Sequence, residues 1–290
     1  MNDIILKVDN INKQYLDFSL KNISFNIRKG TIMGFVGRNG AGKTTTLKAI
    51  YQLTKPESGN VYYFDQNIKD NEIEIKNEIG LLFGGIDYFP NKKVKTLTKA
   101  SKGFYKNWDE DSYRKWLKFF DINEEKRIRE LSNGMKVKYN LAIALSHNAK
   151  LLLLDEPTSG LDPVSRDELL DIFYRLANTH GVSILFSTHV ISDLDKIADD
   201  VTYIKNGEII YTGNLLAFKK SYCKVQGLVS LLSAEQKELI GHYRSKNDYF
   251  EGTIKEKDKD YFKNFELQEV NLEDIILHIE RGENNEKSPL

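Results

Sequence analysis

A lysine and a threonine close a glycine-rich octapeptide in this chain, and farther along an apolar run ends in two adjacent carboxylates. The octapeptide, Gly37-Arg38-Asn39-Gly40-Ala41-Gly42-Lys43-Thr44, fits the pattern G-x-x-x-x-G-K-[ST]. It follows the β-like run Ile32 to Val36 and precedes a helical pattern. Phosphate chemistry accounts for these residue types. Gly37, Gly40 and Gly42 let bare backbone N–H groups close around phosphate oxygens, where a Cβ would intrude. A helix starting near Lys43 aims its positive dipole end at the same point. Lys43 is expected to neutralise β- and γ-phosphates and the Thr44 hydroxyl to ligate Mg2+, with Arg38, Asn39, Ala41 and Thr45 completing the nucleotide contacts.

The second constellation is Leu151 to Glu156, which reads L-L-L-L-D-E. An apolar strand of this kind delivers its carboxylates at its C-terminal end, where open α/β sheets bind ligands. Asp155 is expected to hold Mg2+, directly or through water, and Glu156 to polarise an attacking water. An aspartate-glutamate pair at a strand end is common on protein surfaces. Its pairing with the phosphate loop is what assigns it chemistry.

Holding these groups together requires a sheet. Ile5, Val8, Phe18, Leu20, Ile23, Phe25 and Ile27 alternate with polar residues, which predicts an antiparallel sheet over the first thirty residues. Val61 to Phe64 and Ile79 to Phe83 predict two more strands. Leu151 to Leu154 and Val182 to Phe186 are short continuous apolar runs separated by a helical stretch, as in parallel strands covered on both faces. From Lys92 to Ser146 the pattern turns helical, with Phe104, Trp108, Tyr113, Trp116, Leu117, Phe119 and Phe120 at three- and four-residue spacing. After Gly213 only a strand at Tyr249 to Ile254 and a helix at Leu272 to Ile279 stand out. The expected division is a principal domain over 1–215 containing a helical subdomain at about 90–147, an accessory region over 216–281, and a disordered polar tail over 282–290.

Composition narrows the function classes. Lysine plus arginine equals aspartate plus glutamate, 42 against 42, so no general polyanion-binding surface is expected and nucleic acid is not an expected partner. The one cysteine, Cys223, excludes an internal disulfide and suits a reducing compartment. No signal-peptide pattern opens the chain and no apolar run approaches the ~20 residues needed to cross a bilayer. A membrane role would therefore come through a partner.

Leu131-Ser132-Asn133-Gly134-Met135 opens a helical segment upstream of Asp155 with Ser132 at an N-cap-like position. Here the chain resembles an ATP-binding-cassette (ABC) ATPase, because the segment matches that family's L-S-G-G-Q signature apart from Asn133 and Met135. The resemblance runs over roughly residues 3 to 214 and continues through Ser159-Gly160-Leu161-Asp162 and Ser187-Thr188-His189. It implies an α/β P-loop NTPase fold with an antiparallel β-subdomain, a helical subdomain and a small C-terminal α+β extension. It further implies that His189 contacts the γ-phosphate beside Glu156, and that Ser132, Gly134 and Asp162 serve the nucleotide held by an opposite subunit. Tyr15 matches the family's adenine-stacking aromatic, with Phe18 as the competing candidate. The other histidines, His147, His180, His242 and His278, read as surface or packing residues.

The implied cofactors are ATP and Mg2+. The implied partners are a second ATPase subunit, forming a homo- or heterodimer, and an integral membrane permease subunit at the cytoplasmic face of the membrane. One family feature is missing: no glutamine lies between Gln66 and Gln226, and Gly84-Gly85-Ile86-Asp87 occupies the place of the coupling glutamine. Asp87 or a water is a candidate substitute, and the absence keeps open an ATP-switched regulatory or soluble ABC protein. Within the family, Phe104 to Glu110, the Ser-Asn-Gly-Met variant and Val190 to Leu194 look most like YtrB-type bacterial exporters. These include the ATPase subunits of the staphylococcal phenol-soluble-modulin exporter, which implies export of amphipathic peptides. The aromatics Phe104, Tyr105, Trp108, Tyr113 and Trp116 are expected to pack the helical subdomain, with a groove for a membrane-subunit helix as the alternative.

Overall fold

The computed structural model describes residues 3–83 and 89–282. The Asp87 substitution lies outside these residues, as does the tail beyond Gly282. The chain forms two compact units, Met1–Thr212 and Gly213–Leu290.

The first unit holds two sheets. Strands β1 (Ile4–Gln14), β2 (Ser19–Arg28), β3 (Ile32–Val36), β4 (Ser58–Tyr63), β5 (Gln66–Asn67) and β6 (Ile79–Phe83) alternate with helices α1 (Lys43–Ile50) and α2 (Glu72–Lys76). Helices α3 (Val94–Lys102), α4 (Glu110–Phe119) and α5 (Asn133–Ser146) follow. Then come β7 (Leu151–Asp155), α6 (Pro163–His180), β8 (Ser183–Thr188), α7 (Ile191–Ile197), β9 (Asp200–Lys205) and β10 (Glu208–Asn214). The N-terminal strands form an antiparallel sheet ordered β2-β1-β4-β5, whose inward positions Leu6, Val8, Ile11, Ile23 and Ile27 are buried. A second sheet is ordered β10-β9-β3-β8-β7-β6 and is parallel from β9 through β6.

The continuous apolar runs read from the sequence are the strands buried on both faces. Every residue of β3 and β8 is buried. One apolar core joins the two sheets, from Leu6 and Phe25 to Leu151 and Leu185, and the Phe25 and Phe35 rings stack at 5.6 Å. Burying each large aliphatic contributes about 1.5–3 kcal/mol. The parallel register matters most for function. Asp155 lies opposite Phe83 on one side and Ser187 on the other, and Val36 opposite Thr188. Three central strands therefore end side by side at one edge.

Helices α3, α4 and α5 are tied by a buried hydroxyl hub: Thr98 Oγ1 lies 2.6 Å from the Tyr113 hydroxyl and 3.0 Å from that of Tyr139. Asp109 caps α4 by accepting from the amides of Asp111 and Ser112. This helical segment carries most of the aromatic run, but its members face different ways. Trp108 packs on the buried Tyr113 at 5.2 Å, whereas Trp116 turns to Phe119, Phe120 and His180.

The second unit contains α8 (Leu215–Lys220), β11 (Tyr222–Leu228), α9 (Ala234–Leu239), β12 (Gly241–Lys246), β13 (Tyr249–Lys255), β14 (Glu266–Gln268) and α10 (Leu272–Gly282). Its antiparallel sheet is ordered β12-β13-β11-β14 over a core of Val225, Ile240, Phe250, Ile254 and Phe262. The sequence pattern exposes β13 and α10 but hides β12, because a register shift between Gly241 and Arg244, with His242 at φ 53°, breaks the two-residue period. Gly282 is the last residue of α10 rather than the first of the tail. Cys223 is a buried packing residue whose thiol donates to the Glu256 carboxylate at 2.5 Å, and burial pushes its pKa up to about 11.

Candidate active site

The phosphate loop leaves β3 and enters α1 through Gly42, the N-cap, at φ 113°. A Cβ on Gly42 would sit 2.8 Å from both Leu20 and Phe18 side chains, so glycine is required by space as well as by backbone. Gly40 also has positive φ, 82°, and nothing lies near the position of its missing Cβ. The loop is therefore packed on one side and open on the other. Leu47 and Ile50 anchor α1 in the core, which fixes the direction in which its N-terminus points.

Lys43 is only 6% exposed, and its ammonium donates to the Gly37 carbonyl at 2.8 Å. The same ammonium lies 3.4 Å from Glu156 Oε1. Thr44 Oγ1 donates to Asp155 Oδ2 at 2.8 Å, and Ser187 Oγ donates to Asp155 Oδ1 at 2.6 Å. The Glu156 amide donates to both the carbonyl (3.1 Å) and the hydroxyl (3.0 Å) of Ser187. His189 Nδ1 lies 2.5 Å from Glu156 Oε2. Lys43, Thr44, Asp155, Glu156 and His189, from three separate segments, thus meet in one constellation.

Two features of this cluster have local causes. Glu156 adopts φ 51°, a left-handed conformation that costs a non-glycine residue on the order of 1 kcal/mol or more. The two bonds from its amide to Ser187 hold it there. Behind it, Thr158 Oγ1 donates to the buried Asp193 at 2.8 Å, and Arg166 pairs with that carboxylate at 3.5 Å. That bond and ion pair pin the segment after β7 to α6 and α7. Ser187 is the member whose role sequence reasoning missed. Its place beside Asp155 comes from the parallel register of β7 and β8, which no local sequence signal carries.

Around Lys43 lies a pocket of about 690 Å³ lined by Asp17, Phe18, Asn39, Gly40, Gly42, Lys43, Thr44, Thr45, Glu156, Ser159 and His189. Phe18 is the aromatic in this lining. Tyr15 stands outside it, 41% exposed, with its amide bonded to the Phe18 carbonyl. Arg38 is exposed at the loop's outer edge, and Ala41 is buried.

Ser132 and Gly134 do not line this pocket. Ser132 is exposed and caps α5, its Oγ accepting from the Met135 amide at 3.2 Å. A Cβ on Gly134 would be 3.7 Å from Ser165 and 3.8 Å from Leu161, so this helix tip lies against the segment that starts α6. Asp162 caps α6, accepting from the amides of Val164 and Ser165 at 3.0 Å. The Ser165 hydroxyl and these amides hold the Asp162 carboxyl below its ordinary range. Ser132, Gly134 and Asp162 all lie outside the lining of the Lys43 pocket.

The donor set fits magnesium. Thr44 Oγ1 and Asp155 Oδ2 are hard oxygens that converge beside the phosphate loop. Among the described residues no group of three or more His, Cys, Asp or Glu side chains could cage a metal. Mg2+ needs no such cage, since it is commonly held by one or two protein oxygens together with substrate phosphates and water.

The chain matches the ABC transporter family over residues 20–159. It is 32% identical over 225 residues to the bacitracin transport ATP-binding protein BcrA of Enterococcus faecalis, covering 75% of this chain and 72% of that one. It is 30% identical over 207 residues to the ABC transporter ATP-binding protein YtrB of Bacillus subtilis, covering 71% and 70%. Among solved structures, cbiO1 from Clostridium perfringens, part of the ABC transporter complex cbiONQ, superposes with a TM-score of 0.64 at 29% identity, covering 73% of this chain and 89% of that one.

Proposed function

Since the chain belongs to the ABC transporter family, whose ATP-binding proteins it matches over about three quarters of its length, we propose that it is the ATP-hydrolysing subunit of a bacterial exporter. The observation that carries this reading is the constellation at the ends of β7 and β8: a lysine, a threonine, two carboxylates and a histidine linked by contacts of 2.5 to 3.4 Å beside an open glycine loop. In this reading Lys43 exchanges its Gly37 and Glu156 contacts for the β- and γ-phosphates, and the loop amides take the remaining phosphate oxygens. Thr44 and Asp155 would hold Mg2+, which neutralises charge on the phosphates when bound. Glu156, released by Lys43, accepts a proton from the attacking water. His189 donates to the γ-phosphate and keeps Glu156 oriented. Tyr15 stacks on the adenine, with Phe18 forming the pocket wall beneath.

The proposed working unit is a dimer. Ser132 and the Gly134 amide, at the tip of α5, complete the site of a second subunit, and Asp162 orients the start of α6 beside them. What supports this is that the Ser132 tip is exposed and absent from its own chain's pocket. Closing on ATP and reopening on hydrolysis follow from the bridging γ-phosphate being present and then lost. Differential affinity for ATP sets the size of the movement.

A membrane subunit would receive that movement. Among the described residues no helix is long and apolar enough to cross a membrane. A groove of about 310 Å³ lined by Leu81, Phe89, Leu97, Phe104, Tyr105 and His147 is the surface we assign to a permease helix. Phe104 is 81% and Phe89 56% exposed, and apolar surface of that kind at a groove marks a protein contact. The cargo we propose is an amphipathic peptide, supported by the YtrB-type sequence features and by a relative named for bacitracin transport. Tagged chain purified from membranes should carry an integral membrane protein that crosslinks to position 104 and raises phosphate release. A chain that hydrolyses ATP at the same rate alone and retains no integral protein would overturn the assignment.

A further inference from the structure

One cavity of the first unit is far from the phosphate loop. It measures about 860 Å³ and opens where Lys150 and Val182 lead into β7 and β8, the edge opposite to Asp155 and Thr188. Its floor is apolar: Trp116, Phe119 and Leu176 come from α4 and α6. The Trp116 ring is already stabilised by a stack on Phe120 at 5.6 Å and an edge contact with His180, so it presents a fixed aromatic face.

The charged groups of the lining have one sign. Lys115, Lys150 and Arg175 line the cavity, and no aspartate or glutamate does. Lys150 is paired with Glu78 at 2.6 Å. Lys115 and Arg175 are exposed and, among the described residues, neither is within ion-pair distance of a carboxylate. The surrounding segment reinforces that sign. Residues 90–147 carry 14 Lys and Arg against 7 Asp and Glu, in a chain balanced at 42 against 42. The half-charges of the α6 carbonyls oppose it only weakly, because the Gly181 amide already bonds back to Ala177 and Leu176. Full charges on Lys115 and Arg175 therefore set the local potential.

We propose that this cavity binds a small amphipathic anion: an aromatic or acyl body on the Trp116 floor and a carboxylate or phosphate head between Lys115 and Arg175. The volume falls within the roughly 300–1,000 Å³ of ordinary ligand pockets, and a guanidinium fork is suited to a planar or phosphate anion. The walls include the C-terminal turns of α5 and α6, whose N-caps are Ser132 and Asp162. An occupant would therefore touch the far ends of two rigid helices that reach the catalytic edge.

The test uses the full chain carrying Trp108→Phe, which leaves Trp116 as the only one of two tryptophans. Laurate, kept below its micellar concentration, is expected to change Trp116 fluorescence saturably with one site per chain, and dodecylammonium is not. Lys115→Glu with Arg175→Glu should weaken laurate binding at least tenfold while circular dichroism stays unchanged. If the reversed pair misfolds, Lys115→Gln with Arg175→Gln serves, with a threefold or greater loss expected. Equal affinity for laurate and dodecylammonium, or undiminished binding by the folded charge variants, would overturn the proposal. A signal seen only with phosphatidylglycerol vesicles would overturn it as well, since that marks a basic surface on a bilayer rather than a pocket.

Discussion

Replacing Glu156 by glutamine separates the two things this carboxylate does. Glu156 faces Lys43 at 3.4 Å and His189 at 2.5 Å. Two unit charges at 3.4 Å attract by about 5 kcal/mol at an effective dielectric constant near 20. Glu156 is partly open to water, which leaves a net contribution of only about 1 kcal/mol. Removing the charge frees Lys43 and removes a repulsion with the incoming γ-phosphate, so ATP should bind about fivefold more tightly. Loss of a general base slows hydrolysis by about 10² to 10⁴, equivalent to ~2.7 to 5.5 kcal/mol in the barrier. Tight binding without turnover should trap the closed dimer. Nucleotide affinity, steady-state phosphate release and light-scattering mass with saturating ATP and Mg2+ measure the three outcomes. A Glu156→Gln chain that releases phosphate within tenfold of the parent, or that keeps a monomer's mass under those conditions, would refute both the base assignment and the sandwiched nucleotide.

Ser187→Ala removes a donor to Asp155 and an acceptor for the Glu156 amide, a change worth about 1 to 3 kcal/mol; phosphate release should fall at least fivefold, and a magnesium titration of the rate should shift to higher concentration. Thr98→Val strips the hydroxyl shared by Tyr113 and Tyr139, and calorimetry should show the melting temperature lowered by about 2 to 10 °C. The pH dependence of stability should carry the mark of His147, whose pKa burial lowers to about 4. The folded state keeps this ring neutral while the unfolded chain binds a proton below about 6.5, so stability is full above that pH and declines as pH falls toward 4, by about 3 kcal/mol in total. His147→Phe, which retains a ring against Tyr105, should flatten the urea-midpoint profile between pH 6.5 and 4, and an unchanged slope would exclude His147 as its source.

The central strands β3, β7 and β8 and the residues of the phosphate loop were legible because each was written locally. Continuous apolar runs mark β3, β7 and β8, and glycine spacing marks the loop, whatever surrounds them. The fastening of the site was not legible, since it depends on register. That Ser187 stands beside Asp155 follows from parallel pairing between residues far apart in sequence, and no local pattern encodes it. Thr158, Arg166 and Asp193 form their buried cluster in the same way, across three segments. The aromatic run of the helical segment was ambiguous for a different reason. Spacing places residues on a helix face but does not say which neighbour covers it, so Phe104 opens on a groove while Trp108 packs on Tyr113 and Trp116 turns to the second cavity.

Ser187 Oγ touches Asp155 and the Glu156 backbone at once. A single hydroxyl thereby yokes the carboxylate proposed to hold the metal to the residue proposed to activate water, and neither can drift without dragging the other. Adaptation at this edge is then constrained to move in concert: a change that retunes affinity for the metal also retimes the chemical step. Variation in turnover between related chains should accordingly arise where the two are not coupled, in the loops and surfaces that meet other subunits.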